Sequence, residues 1–263
     1  DKETKIWNGV EWSLVIPKVT CYNQGMYEVV CSDGRKLKCT DYHNWLISVD
    51  YNGGQKTVQT KDLQIGDKII KHRFPVIDGG DDIGANHAYT QGFISGDGMD
   101  DYKMCWLYEP KFCCAKRMFG TEDRAVFVTY TGVKRKIFRL GFDPLPKDFV
   151  PICWSLKSRI QWLSGLFDAD GCELKEGGLQ LVSINRQFLS DLQKMLSLCG
   201  IQSKIVFAQE DGFRLLPDGH GGKKEYFCKE SYRICIGSIQ IQSLVDLGLA
   251  CERLKFQKAP NRD

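Results

Sequence analysis

Apolar and polar positions follow two different periods along this 263-residue chain. Over positions 1–70, short apolar runs (KVTCY, MYEVVC, KLKC and WLISV) are bounded by NQG, SDGR, TDYHN and YNGG, a pattern of strands punctuated by turns. SDGR between two such runs predicts a hairpin. The stretch VIDGGDDIGAN at 76–86 is polar and glycine-rich and reads as a boundary or linker. Beyond it the pattern becomes helix–strand alternation, and does so twice. A helix over 87–97 is followed by strand YKMCWLY, a short helical KFCCAKRM, and a hairpin RAVFVTY-TG-VKRKIFRL. A helix over 156–170 is followed by strand LQLVSI, the amphipathic helix NRQFLSDLQKMLSLCG, and strand SKIVFAQ. A polar loop, EDGFRLLPDGHGGKKE, then leads to strand YRICIG and a last helix, SIQIQSLVDLGL.

The two long helices end alike, in TQGFISGDG at 90–98 and LSGLFDADG at 163–171. This is an internal duplication of an α/β unit. The expected domains are 1–82, 83–152 and 153–263.

A carboxylate at a helix C-terminus faces the negative pole of the helix dipole and is disfavoured by roughly 0.3–1 kcal/mol. Two matched copies need a reason. Each helix carries small residues four apart, Gly92 and Gly96 in one, Gly165 and Ala169 in the other, so each offers a flat strip for close approach. If the strips pack together, Asp97 and Asp170 meet at one end, and two adjacent carboxylates need a cation. Hard oxygen ligands suit Mg²⁺ or Mn²⁺, held by Asp97 and Asp170 with Gly96 and Ala169 beside them.

Charge sharpens this reading. The net charge is +3, but positions 1–70 balance nine Lys/Arg against nine Asp/Glu, whereas positions 103–148 hold ten basic and five acidic side chains. The middle of the chain is therefore where a polyanion is expected. Twelve cysteines do not imply a disulfide scaffold, since a chain with 6 Trp and 14 Phe can bury a core unaided. They lie mostly in apolar periodic segments, no C-x-x-C occurs, and an intracellular, cytoplasmic setting is expected. No apolar run approaches the ~18–20 residues that span a bilayer.

LSGLFDADG and TQGFISGDG resemble the two signature helices of LAGLIDADG homing endonucleases in their single-chain, two-repeat form. The second copy departs at Ser164 and Phe167, the first at Thr90, Gln91 and Ser95. Both keep Asp at the eighth position, which carries the catalytic carboxylate in that family. The resemblance implies an α+β fold of tandem αββαββα repeats with pseudo-two-fold symmetry, each sheet saddling the DNA major groove. It implies a monomer that cuts double-stranded DNA with a divalent ion and leaves short 3′ overhangs. DNA contacts are expected from Arg124, Lys134, Arg135, Lys136 and Arg139 in the basic hairpin, and from Arg233 in YRICIG. The family also uses about one lysine per repeat near the site. Lys147 and Lys255 occupy such places, with Lys136 and Lys258 as rivals.

The β-rich start of the chain is similar to the N-terminal half of an intein splicing domain of the Hint type. ETKIWNG, the T-x-x-H of Thr40 and His43 in KCTDYHNWLI, and the L-x-x-GD of KDLQIGDKI occur in order. The resemblance implies that Thr40 and His43 once polarised a peptide bond. Residue 1 is Asp where a nucleophile is expected, and KAPNRD carries no closing His-Asn pair, so splicing is not expected of the chain as given. Two other functions fit part of the pattern: a non-cleaving nucleic-acid binder of the same fold, such as an RNA maturase, and an autoprocessing intein with an inactive nuclease. Paired carboxylates argue against the first, and missing nucleophiles against the second.

Overall fold

The computed structural model describes residues 3–50, 53–71, 74–80, 82, 85–97, 103–129, 132–218 and 222–256. The chain divides into two compact units, Asp1–Pro75 and Val76–Asp263. The first is all-β. Strands β1 (Thr4–Trp7) and β2 (Trp12–Val15) pair as one ribbon, and β3 (Tyr27–Val30) and β4 (Lys36–Cys39) as another. SDGR closes the second as predicted from sequence, with Cys31 N donating to Arg35 O at 2.8 Å and Gly34 at φ 89°. Strand β5 (Asn44–Ser48) lies between β6 (Gln55–Gln59) and β7 (Lys68–Ile69). The KVTCY run forms no strand. Cys39, Trp45 and Ile47 make a small buried core.

The second unit holds both Asp-Gly helices. The first repeat runs α1 (Ala88–Asp97), β8 (Met104–Tyr108), a 3₁₀ turn at Lys111–Cys114, α2 (Ala115–Phe119), β9 (Phe127–Val128) and β10 (Lys134–Arg139). Its sheet has the order β8-β10-β9. The second runs α3 (Leu156–Asp170), β11 (Cys172–Glu173), β12 (Leu179–Ser183), α4 (Arg186–Leu198), β13 (Lys204–Gln209), β14 (Gly212–Pro217), β15 (Lys223–Cys228), β16 (Ser231–Ile236) and α5 (Ser238–Asp246). Its sheet is β11-β12-β16-β13, all antiparallel. Setting the β14–β15 hairpin aside, this repeat reads αββαββα, whereas the described residues of the first read αβαββ with a three-stranded sheet, so the expected tandem layout holds for the second repeat alone; the whole is a mixed α/β fold.

Further features differ from the sequence reading. EDGFRLLPDGHGGKKE is a hairpin and not a loop: β14 and β15 pair from Gly212↔Cys228 to Pro217↔Lys223. Asp218 closes its tip by accepting from Gly222 N at 2.9 Å. The expected strand 124–130 shrinks to Phe127–Val128. The glycine-rich stretch, expected as a boundary or linker, begins where the two units divide but is no free linker. Ile77 N donates to Leu198 O, and Asp78 and Asp82 accept from Leu156 N and Ser155 N at the start of α3, where acidic groups suit the dipole. A Cβ on Gly79 would lie 2.3 Å from Cys153 O.

Helices α1 and α3 pack side by side and run the same way. A Cβ added to Gly92 would fall 1.9 Å from Trp162 O, and one on Gly165 1.9 Å from Tyr89 O. Real atoms never approach so closely, so only glycine permits this backbone contact. Around it lie two cores, one of Trp162, Leu163, Leu166 and Phe167 against Leu189, Leu192 and Ile234, the other of Tyr89, Phe93 and Ile94 against Leu107 and Phe138. Among the described residues no helix is long and apolar enough to cross a membrane.

Gly92→Ala and Gly165→Ala are expected to destabilise the protein by at least ~1–3 kcal/mol each, as overpacking does. Gly141→Ala, where a Cβ meets nothing within 4 Å, should stay within about 0.5 kcal/mol of wild type. Urea denaturation of the three variants checks this; equal midpoints would refute the steric reading.

Candidate active site and nucleic-acid interface

The close contact continues to the helix ends. A Cβ on Gly96 would sit 2.7 Å from Ala169 Cβ and 2.9 Å from Asp170 Oδ2. Asp97 and Asp170 are thus brought together where the two helices stop. Desolvation by the packed helix ends raises the Asp170 carboxyl from its ordinary value although the residue keeps access to solvent, and the charge of Asp97 pushes it the same way. Opposing this are Lys111, Lys147 and Arg253. Lys111 Nζ, on the 3₁₀ turn after β8, lies 2.6 Å from Asp97 Oδ2 in a mostly buried ion pair.

The sequence reading therefore had one of these cations, Lys147. Its loop is tied to α1, because Leu145 N donates to Gln91 Oε1 at 3.0 Å. The departure from the signature at Gln91 thus has a structural use. Thr90 Oγ1 likewise bonds Met118 O, and Ser95 Oγ bonds Gln91 O. Lys255 is exposed and is held through its backbone N, which donates to Glu173 Oε1 at 2.6 Å. Lys258 and the Gly98 of the first signature lie outside the described residues.

Asp168, the first carboxylate of LFDADG, is fully buried and has a different task. It accepts from Tyr89 Oη of α1 at 2.6 Å and from the backbone N of Glu252 and Arg253 at 2.7 and 2.8 Å. Arg253 returns the contact, donating from Nε to Asp168 O at 2.6 Å and from Nη2 to Phe167 O at 2.8 Å and Gly171 O at 2.6 Å. The negative pole of α3 is covered by a guanidinium. Neither Lys111 nor Arg253 stood out in the sequence. A signal existed for the second, since a helix ending in two aspartates requires a cation at its last carbonyls.

As a cation site, the donor set is two carboxylates with the Gly96 and Ala169 backbone beside them. Two oxygen-bearing side chains that repel each other suit a hard divalent ion that keeps most of its water. Among the described residues no third His, Cys, Asp or Glu joins them.

Strand parity sorts the expected DNA contacts. In β10, Lys134, Lys136 and Phe138 share one sheet face, and Phe138 is buried under the helices. Lys136 Nζ donates to Glu122 O at 2.8 Å, and Lys134 lies 3.5 Å from Glu109. Arg135 and Arg139 share the opposite face. Arg135 sits in register between Tyr108 and Phe127, its guanidinium 4.3 Å from the Trp106 ring centre. In the other sheet Arg233 is placed the same way, in the central strand between Val182 and Val206, with Gln180 Oε1 at 3.4 Å. The Nε atoms of both Arg135 and Arg233 are buried without a hydrogen-bond partner. Arg124 lies over the Phe138 ring at 5.9 Å, beside a half-open cavity of about 450 Å³.

In the first unit, His43 N donates to Thr40 O at 3.3 Å, and the His43 ring packs edge-on against Trp45 at 5.2 Å. Leu63–Asp67 forms a turn with Gly66 at φ 103° and Gln64 N donating to Asp67 Oδ2 at 2.9 Å. All twelve thiols are free. Burial pushes Cys105 up to about 12 and Cys199 up to about 11, which keeps both as neutral small hydrophobes.

Residues 158–245, from the first turn of α3 into α5, match the family described as the LAGLIDADG-like domain. The whole chain aligns at 32% identity over 288 positions with the large subunit of ribonucleoside-diphosphate reductase from Invertebrate iridescent virus 6, covering 29% of that protein. It aligns at 27% identity, over 81% of this chain and 19% of the other, with ATP-dependent DNA helicase Hel308 of Methanocaldococcus jannaschii. The chain thus spans less than a third of either curated relative. Among solved structures, the homing endonuclease I-DmoI superposes with a TM-score of 0.40 at 16% identity, over 64% of this chain and 97% of that one.

A carboxyl whose folded pKa is raised binds more protons folded than unfolded, so stability falls as pH rises through the window between the ordinary carboxylate value and the raised one. Asp170→Asn should remove that slope and make the metal-free protein more stable than wild type at neutral pH. The difference should vanish as pH falls below the ordinary carboxylate range. Melting curves in EDTA across pH 3–8 check it, and a variant less stable than wild type at pH 7 would contradict it.

Proposed function

We propose that this chain is a site-specific double-strand DNA endonuclease of the LAGLIDADG homing type, carried as an intein-borne insertion in a host protein. It acts as a monomer on a long target and leaves short 3′ overhangs. The observation that carries this reading is the glycine-only contact between α1 and α3, which sets Asp97 and Asp170 together at one end of the pair. The domain match over 158–245 supports the same reading. So does the pattern of relatives: alignment over most or all of this chain covers only a minor part of proteins named for unrelated activities, as expected of an inserted module.

Each carboxylate serves one strand. Asp97 and Asp170 hold divalent ions, Mg²⁺ or Mn²⁺, next to the Gly96 and Ala169 backbone. When bound, such an ion supplies Lewis-acid stabilisation of charge at the scissile phosphate. The chain's own part is to hold both carboxylates in place. Lys111 and Lys147 lower the cost of negative charge where the phosphates come in. The outward faces of the two sheets hold the duplex, with Arg135, Arg139 and Arg233 reaching into it. Lys134, Lys136 and Arg124 act nearer the edges, on phosphates. The first unit, with Thr40 and His43 in one turn, is the splicing-domain part.

Supercoiled plasmid carrying the host coding sequence joined across the insertion point should be linearised by the protein with Mg²⁺ and left intact in EDTA. Asp97→Asn and Asp170→Asn should each lower cutting by at least a hundredfold and still retard the same DNA on a gel. Retardation without cutting by the wild type would favour a non-cleaving binder, and wild-type cutting by either variant would sink the assignment.

Arg135→Ala and Arg233→Ala are expected to weaken binding of the target by ~1–3 kcal/mol if the arginines read bases, with specificity relaxed at one position each. Equal weakening on all sequences, with the salt slope reduced by about one, would make them phosphate contacts instead.

A further inference from the structure

The two carboxylates are held by unlike means. Asp97 is paired directly, by the Lys111 ammonium at 2.6 Å. Asp170 has no such partner within hydrogen-bond reach among the described residues, and what is fixed is the helix end beneath it. There the Arg253 guanidinium takes three carbonyls, Phe167 O, Asp168 O and Gly171 O, at 2.6–2.8 Å. The Asp168 carboxylate in turn takes the backbone N of Glu252 and Arg253, so the contact is reciprocal and joins the end of α3 to a segment far along the chain. Tyr89 Oη donates to the same carboxylate from α1. The equivalent position in the first signature is Ser95, which among the described residues bonds its own helix at Gln91 O.

We propose that Arg253 is a positioning residue for the Asp170 half of the site alone: its planar fork fixes the last turn of α3 and so the direction of the Asp170 side chain. A guanidinium suits this task because its five donors are arranged rigidly, while an ammonium could satisfy the charge but not the geometry. Bonds from the Arg253 side chain and from the backbone of Glu252 and Arg253 converge on one helical turn, whose buried Asp168 stands two positions before Asp170. A helix stop alone needs far less. The consequence is asymmetry between strands, because loosening this clamp leaves the Lys111–Asp97 pair untouched. The inference rests on the endonuclease reading above.

The test is single-turnover cleavage in Mg²⁺ of a target duplex with a different label on each strand. Arg253→Met should slow cutting of one strand about 10- to 100-fold, the usual cost of losing a supporting group at such a site. The other strand and the duplex affinity should change less than about threefold, so nicked DNA accumulates. Arg253→Lys should recover part of the lost rate. Ile241→Ala, a core truncation in α5 at a side chain that takes no part in the clamp's hydrogen bonds, serves as a destabilised control. Equal slowing of both strands by Arg253→Met, in step with its loss of melting temperature as in the control, would overturn the proposal. If Arg253→Met does not fold, Arg253→Gln and Arg253→Lys are read by the same strand ratio. Amide exchange at Phe167–Gly171 and Mn²⁺ affinity of the DNA complex, measured by paramagnetic resonance, give a readout free of turnover. Faster exchange with weaker Mn²⁺ binding in Arg253→Met supports positioning, and unchanged values refute it. Failure of the wild type itself to cut would count against the endonuclease reading, while exchange and Mn²⁺ binding would still decide on Arg253.

Discussion

Everything at the candidate site depends on how closely two helix backbones approach. Side chains normally keep helix axes about 8–10 Å apart. At Gly92 and Gly165 any side chain would overlap the partner's carbonyl oxygen, so these two positions set the distance at which α1 and α3 run. That distance brings Asp97 and Asp170 within range of one another's charge. The cost is visible in the raised Asp170 carboxyl and in the cations gathered around the pair. A fold selected for stability alone would not retain two carboxylates in mutual repulsion, and this is the physical case for function at this point.

The duplication is geometric more than chemical. Both repeats contribute a helix ending in Asp and a sheet whose central strand presents an arginine on the side away from the helices, Arg135 in one and Arg233 in the other. The support under each carboxylate has diverged. The first repeat uses an ion pair to the side chain, the second a buried aspartate and an arginine clamp at the helix end. Different supports give the two halves different sensitivity to substitution, even where their end points match.

The N-terminal unit is built on a smaller scale. Its core is Cys39, Trp45 and Ile47, with Val29, Val58, Leu63 and Ile69 packed around it. Trp45 Nε1 and Cys39 Sγ both bond Thr60 Oγ1, which in turn donates to His43 O. The turn holding Thr40 and His43 is therefore anchored by a buried polar network.

The primary structure by itself determined the repeat, the two helices with their small-residue strips, the hairpin at SDGR and the pairing of Asp97 with Asp170. Each of these is a matter of local period or of residue size, which a linear string records. It could not decide which cations answer the carboxylates. Lys111 and Arg253 belong to other elements than the aspartates they serve, the second at the far end of the chain, and only packing brings them near. Nor could it separate Arg135 from Lys134 and Lys136, because which face of a strand meets the helices is set by strand pairing. The glycines at 79 and 222 read as loop signals, yet one seats a backbone against Cys153 and the other closes a hairpin tip. A glycine records that a side chain is absent; what fills the space is decided by the rest of the fold.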